Sequence, residues 1–179
     1  MKVLVVSHPD DEVIWFNPQG FDKIIICFLD RLDSFAMMLA RKKVLYRHPL
    51  KDKIKCLGIT ESGYNDHKEN LKEHEESGDK LRMLLRDELK DATEIFTHNP
   101  ETGEYGHTDH ILVGQVVKEL AKCPVYVLDM SANANTPDRV AIEPDKEFFT
   151  QVRQLYQDYK CWTWFGNFHP KTTLYYKQI

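Results

Sequence analysis

The sequence has no CxxC pair: its four cysteines, Cys27, Cys56, Cys123 and Cys161, are scattered along 179 residues. That spacing excludes a cysteine-based zinc ribbon and a thioredoxin-like motif, and it argues against a secreted disulfide framework. No apolar run reaches the roughly 18 residues that a membrane span needs. There is no basic excess either. The 24 Lys and Arg against 28 Asp and Glu leave a net charge of −4, which speaks against a general nucleic-acid binder. The phosphate-binding signatures GxGxxG and GxxxxGKS/T are missing, as is the GxSxG of serine hydrolases. Internal repeats, low-complexity tracts and linkers are missing too. The opening Met1-Lys2-Val3-Leu4-Val5-Val6 reaches Asp10-Asp11-Glu12 too soon for a signal peptide. These absences predict one soluble, cytoplasmic domain over residues 1–179.

What is present can build a core, since 42% of the residues are hydrophobic. Val3–Val6 and Lys23–Phe28 are short continuous apolar runs, as expected of strands buried on both faces of a parallel sheet. Ile54–Ile59, Thr93–Thr97, Pro124–Leu128 and Thr172–Tyr176 read as further strands. Helical spacing covers Asp33–His48, with Asp33 or Ser34 as N-cap, then Asp109–Leu120 and Lys146–Lys160. Asn65–Leu89 reads as one or two charged helices with a solvated outer face and a candidate break at Ser77-Gly78-Asp79. Ser131–Pro144 reads as loop. Strands alternating with helices predict an α/β fold, Rossmann-like, with a mostly parallel sheet and helices on both faces.

Ligands of such sheets bind beyond the carboxyl ends of the strands. Two blocks fall there: Ser7-His8-Pro9-Asp10-Asp11-Glu12 after the first strand, and Gly106-His107-Thr108-Asp109-His110 after the fourth. Zinc takes imidazole nitrogen and carboxylate oxygen, and a catalytic zinc uses about three protein ligands. His8 and Asp11 are three residues apart, so one helical turn puts both on one side, and His110 can close the triangle. Asp10 is then a spare carboxylate able to take a proton from water. Single residues of this kind usually cap helices or shape turns: Asp10 or Asp11 could cap the next helix, and Asp109 the later one. Two such blocks at adjacent strand ends point instead to a metal site.

The blocks His8-Pro9-Asp10-Asp11-Glu12 and His107-Thr108-Asp109-His110 resemble the HPDDE and HPDH motifs of the LmbE-like, PIG-L family of zinc-dependent de-N-acetylases. The order of the blocks and the Val-rich strand before the first also match, and the likeness covers about residues 1–130 in layout. The resemblance implies a hydrolase that removes an acetyl group from an N-acetylated amino sugar or glycoconjugate. It implies one zinc per chain, with another divalent metal open, held by His8, Asp11 and His110. Asp10 becomes the general base, and His107 a protonated partner that stabilises the oxyanion. Asp109 orients that imidazole or holds its charge, and Tyr105 matches a mobile tyrosine near the metal. Partners are then a small-molecule or glycan substrate, without nucleic acid or a membrane span, and with a homo-oligomer left open.

The chain departs from the family pattern in several places. Trp15 and Phe16 stand where the family often has glycines, and they either narrow the pocket, stack on a sugar ring or enter the core. The family's substrate-facing arginine has two candidates, Arg41 and Arg47. Asp30 and Arg31, after the second strand, are further substrate-contact candidates. His67 and His74 read as solvated surface. Cys161-Trp162-Thr163-Trp164-Phe165 reads as core or an oligomer contact, with sugar stacking as the minor alternative, and His169 as surface or structural. A non-catalytic metal- or sugar-binding module is the rival reading; a nucleotide-binding protein is disfavoured by carboxylates standing where phosphate would sit.

Overall fold

β-Branched runs and helices alternate to build a seven-stranded sheet in the computed structural model, which describes residues 1–31, 34–165 and 168–179. The strands are β1 (Lys2–Val6), β2 (Lys23–Arg31), β3 (Ile54–Glu61), β4 (Glu94–Thr97), β5 (Val125–Leu128), β6 (Val140–Ile142) and β7 (Leu174–Gln178). The helices are α1 (Asp11–Ile14), α2 (Phe35–Arg47), α3 (Leu71–Glu88), the single turn α4 (Gly103–Gly106), α5 (Thr108–Leu120) and α6 (Lys146–Asp158). Spatial order is β3-β2-β1-β4-β5-β7-β6. The first five strands in that order are parallel; β7 runs antiparallel to β5, and β6 antiparallel to β7. The chain winds outward from β1 through β2 to β3, then returns to lay β4 on the other side of β1. Connections leaving β1 and β4 therefore diverge, which opens a crevice at their carboxyl ends.

Both sheet faces are covered, as the continuous apolar runs require. Val3, Val5, Ile25 and Cys27 pack against Leu81 and Leu85 of α3 and Val113, Val116 and Val117 of α5. On the opposite face Leu4, Val6, Ile24 and Ile26 meet Ile14, Phe16, Phe21 and Tyr176. Val13 of α1, Val44 of α2 and Phe149, Val152 and Tyr156 of α6 form a further cluster on the helices. All four cysteines are free thiols. Among the described residues no helix is long and apolar enough to cross a membrane.

The structure corrects several expectations. Helix α3 is unbroken through Ser77-Gly78-Asp79, because Ser77 and Gly78 face inward; a Cβ at Gly78 would lie 3.2 Å from Leu112 Cδ1. The stretch 131–144 contains β6, which borrows its hydrogen bonds from β7. Asp30 and Arg31 end β2 rather than follow it, paired with Thr60 and Glu61. Ser34 caps α2, accepting from Met37 N at 3.2 Å; Asp33 lies outside the described residues. His107, not Asp109, caps α5, its Nδ1 accepting from Asp109 N at 3.2 Å.

Candidate metal centre and active site

The chain leaves β1 through a turn that ordinary residues resist. Asp10 has φ 94°, in the left-handed region. The turn is held by its own neighbours: Asp10 N donates to Glu12 Oε2 at 2.9 Å, and Asp10 O accepts from Val13 N and Ile14 N at 3.1 Å each. Glu12 is fully buried and takes Tyr156 Oη at 2.9 Å, which ties the turn to α6. The last acidic residue of HPDDE is thus a buried brace.

Asp11 Oδ2 is the hub of the first block. It accepts from His8 N at 2.8 Å and lies 3.3 Å from His8 Nδ1 and 3.3 Å from His110 Nε2. These ligand atoms of His8, Asp11 and His110 all fall within 4.8 Å of one another, and all three residues are buried. Bonds of about 2.0–2.2 Å to a tetrahedral ion put ligand atoms about 3.3–3.6 Å apart, so the triangle suits a small divalent cation. His110 Nδ1 donates to Glu104 Oε2 at 2.8 Å, so its Nε2 carries the lone pair, and that buried atom has no hydrogen-bond partner among the described residues. His8 Nε2 donates to Asp109 Oδ2 at 3.2 Å, which leaves Nδ1 to face Asp11. Each imidazole is oriented by a carboxylate behind it, the usual arrangement behind metal-binding histidines.

Those carboxylates are themselves held. Glu104 Oε2 also takes His98 Nδ1 at 2.7 Å, and Oε1 takes Asn99 N at 2.9 Å. Ser7 N donates to His98 Nε2 at 3.1 Å, fixing His98 with its proton on Nδ1. Burial opposes the charge of Glu104, but the two imidazoles hold it down to about 2. Helix α5 can approach this loop only because of Gly114, where a Cβ would stand 2.5 Å from His98 O. Burial also opposes the charge of His8, yet Glu61, Asp109 and Asp11 lift it to about 10. A metal bound at His8 would have to displace that proton.

Asp10 is 1% exposed, and burial, then the charge of Asp11, push its carboxyl up to about 8. Its Oδ2 accepts from Thr163 N at 2.9 Å and Thr163 Oγ1 at 2.7 Å, while Oδ1 is buried and has no hydrogen-bond partner among the described residues. Thr163 escaped the sequence reading, since 153 residues separate it from Asp10. Of the aromatic stretch around it, Cys161 and Trp162 join the core, as expected. Trp164 meets Trp15 at 5.3 Å and Tyr105 at 5.0 Å between ring centroids, so it roofs the site.

Tyr105 is half exposed and stacks on Trp15 at 5.8 Å. Trp15 itself is buried beneath it and packs into the core, as does Phe16. Of the two candidate arginines the structure brings in Arg41, which is buried and donates to Leu29 O at 3.1 Å and to Glu61. Arg47 does not reach the site and sits over the Tyr159 ring at 5.3 Å. Six helical residues separate the two by about 9 Å and about 240° of turn. Arg31 lines the site, whereas Asp30 lines neither of the two cavities there.

Two further expectations change, and His107 stands apart from its neighbours: burial, then the charges of His8 and His110, drive it down to about 3. With Nδ1 accepting from Asp109 N, its proton is on Nε2. The Asp109 carboxylate serves His8 and stands 3.5 Å from His74 Nδ1, rather than serving His107. His74 is therefore no solvated residue: it is largely buried, 3.3 Å from Ser62 Oγ and stacked on Tyr64. His67 and His169 are exposed, as expected.

Two cavities adjoin the triangle and share Arg31, Glu61 and His107. The smaller, about 180 Å³, lies under Tyr105, Thr163 and Trp164 against His8 and Asp11. The larger, about 380 Å³, runs past Asp109 to Asn65, Asp66 and Asn70. A buried His/Asp group that could hold a cation, a buried carboxyl next to it in the chain, an imidazole N–H and an open groove are parts that amide hydrolysis uses.

No family model matches the chain. An uncharacterized protein of Acanthamoeba polyphaga mimivirus is 26% identical over 184 residues, covering 89% of this chain and 75% of its own length. Among solved structures, a deacetylase of the teicoplanin biosynthesis pathway superimposes with a TM-score of 0.56 at 19% identity, over 90% of this chain and 84% of that one. The N,N'-diacetylchitobiose deacetylase of Pyrococcus horikoshii gives 0.57 at 15% identity, over 90% and 72%. At these identities the likeness is one of architecture: the chain carries the fold of the solved deacetylases, in keeping with its HPDDE and HTDH blocks.

Proposed function

We propose that this chain is a metal-dependent amidohydrolase that removes an acetyl group from an N-acetylated amino sugar or glycoconjugate. The observation that carries the reading is the convergence of His8, Asp11 and His110, whose ligand atoms lie within 4.8 Å of one another, with Asp10, a buried carboxyl next to Asp11 in the chain. Zinc suits the mixed nitrogen and oxygen donor set, though such a set does not by itself select zinc over iron(II) or cobalt. When bound, the ion supplies positive charge that acidifies water and polarises the amide carbonyl.

The protein's own groups then divide the work. Asp10 takes the water proton as the oxygen attacks the carbonyl carbon. That proton goes to Oδ1, because both Thr163 donors occupy Oδ2. His107, neutral, donates Nε2–H to the developing oxyanion, the kind of contact worth about 10²–10³ in rate. Asp10 returns its proton to the nitrogen as the carbon–nitrogen bond breaks, and acetate and a free amine result. A carboxyl lifted to about 8 is suited to both transfers near neutral pH. Asp109 keeps His8 in place. Tyr105, Arg41 and Arg31 border the substrate, which enters through the larger groove, and the sugar assignment follows the substrates of the similarly folded deacetylases. The reading places all of this in one cytoplasmic domain.

The test is release of acetate and free amine across neutral N-acetyl sugars, nucleotide sugars and glycoconjugates, with and without a chelator. Chelator-sensitive turnover of at least one class supports the proposal. A metal-loaded protein inert on every class would leave a binding module instead.

A further inference from the structure

Helix α2 is under-used by the fold. Of its thirteen residues, FAMMLARKKVLYR, only Arg41 and Val44 are buried, and none is acidic. At about 100° per residue, Lys42, Phe35, Tyr46, Leu39, Lys43, Ala36 and Arg47 fall in that order across one outer arc. All seven are exposed, Phe35 at 70% and Tyr46 at 78%. Lys51 adds a fourth cation, its Nζ 5.7 Å from the Tyr46 ring. The acidic groups nearest in chain are Asp33, two residues before Phe35, and Asp52, beside Lys51; Asp158 shares a shallow groove with Arg47. The chain as a whole carries −4, so this face departs from the charge of the rest.

We propose that this face of α2 binds the surface of an anionic membrane. Phe35, Leu39 and Tyr46 enter the boundary between headgroups and acyl chains, and Lys42, Lys43, Arg47 and Lys51 meet anionic headgroups. A second copy of the chain fits poorly, because a two-fold contact through α2 sets these cations against themselves. A protein partner fits poorly for another reason. Lys42 and Lys43 interrupt the apolar row between Leu39 and Tyr46, and the centre of a protein interface is depleted of charge. A headgroup layer solvates charges at that place. The inference is independent of the proposed reaction, since no residue of the arc contacts the metal triangle.

The experiment is co-sedimentation of the full chain with vesicles of phosphatidylcholine alone or containing about one-third phosphatidylserine, over a salt series. Binding is expected only with phosphatidylserine, weakening as salt rises. Lys42→Glu with Lys43→Glu should weaken it at least about 30-fold. Phe35→Ser with Tyr46→Ser should weaken it on the same vesicles, with the thermal midpoint of both variants unchanged. No binding to phosphatidylserine vesicles at low salt overturns the proposal. So does binding that both double variants retain, equal capture by soluble polyglutamate, or a dimer that Tyr46→Ser dissociates.

Discussion

Asp10→Asn exchanges an ionisable buried oxygen for an amide and keeps the shape of the side chain. Burial, then the neighbouring charge of Asp11, lifts this carboxyl from the ordinary 3.8 to about 8. Folded protein therefore holds a proton that the unfolded chain gives up between those values. Stability contributed by this group is complete below about pH 4 and lost as the pH rises toward 8. One pH unit is worth about 1.4 kcal/mol, which sets a ceiling of about 6 kcal/mol; local relaxation leaves a few. Asn has nothing to titrate, and its oxygen can still accept from Thr163. Chelator-treated Asp10→Asn should therefore match the parent near pH 4 in urea unfolding and exceed it by a few kcal/mol near pH 8. Its metal-loaded form should lose about 10²–10⁴ in turnover while keeping the metal. A variant less stable than the parent near pH 8, or one with undiminished turnover, would refute the reasoning.

Thr163→Val removes one of the two donors on Asp10 Oδ2. It should lower kcat about tenfold with KM and metal content unchanged, and Thr163→Ser should restore the rate. Glu104→Gln takes the charge from behind His98 and His110 and should weaken metal affinity about 10–100-fold in a competition titration with a chromogenic chelator. Gly114→Ala drives a Cβ to 2.5 Å from His98 O, backbone that cannot step aside, and should cost about 1–3 kcal/mol or more in thermal unfolding.

The parallel sheet and both chemical blocks were legible because they are local. Val3–Val6 and Lys23–Phe28 announce buried strands by composition alone, and each block follows a strand directly. The contacts that organise the site are not local. Thr163 meets Asp10 across 153 residues, and His74 approaches Asp109 from a helix whose charge pattern marks its other face as solvated. Asp109 is two residues from His107 in sequence, but its carboxylate is turned toward His8. Strand β6 is three residues long with two of them exposed, so it carries no period of its own and exists through β7. Gly78 reads as a helix break in isolation and is a contact point against Leu112 in the fold.

The central claim is that one metal ion held by His8, Asp11 and His110 makes this chain an amide hydrolase. Its most direct test is to titrate zinc into chelator-stripped protein while following free-amine release from a turned-over N-acetyl sugar. Activity should rise in proportion to zinc and stop at about one equivalent per chain, and His110→Ala should neither retain the ion nor gain activity. Turnover that persists without metal, or that His110→Ala recovers in full at one equivalent, would contradict the account.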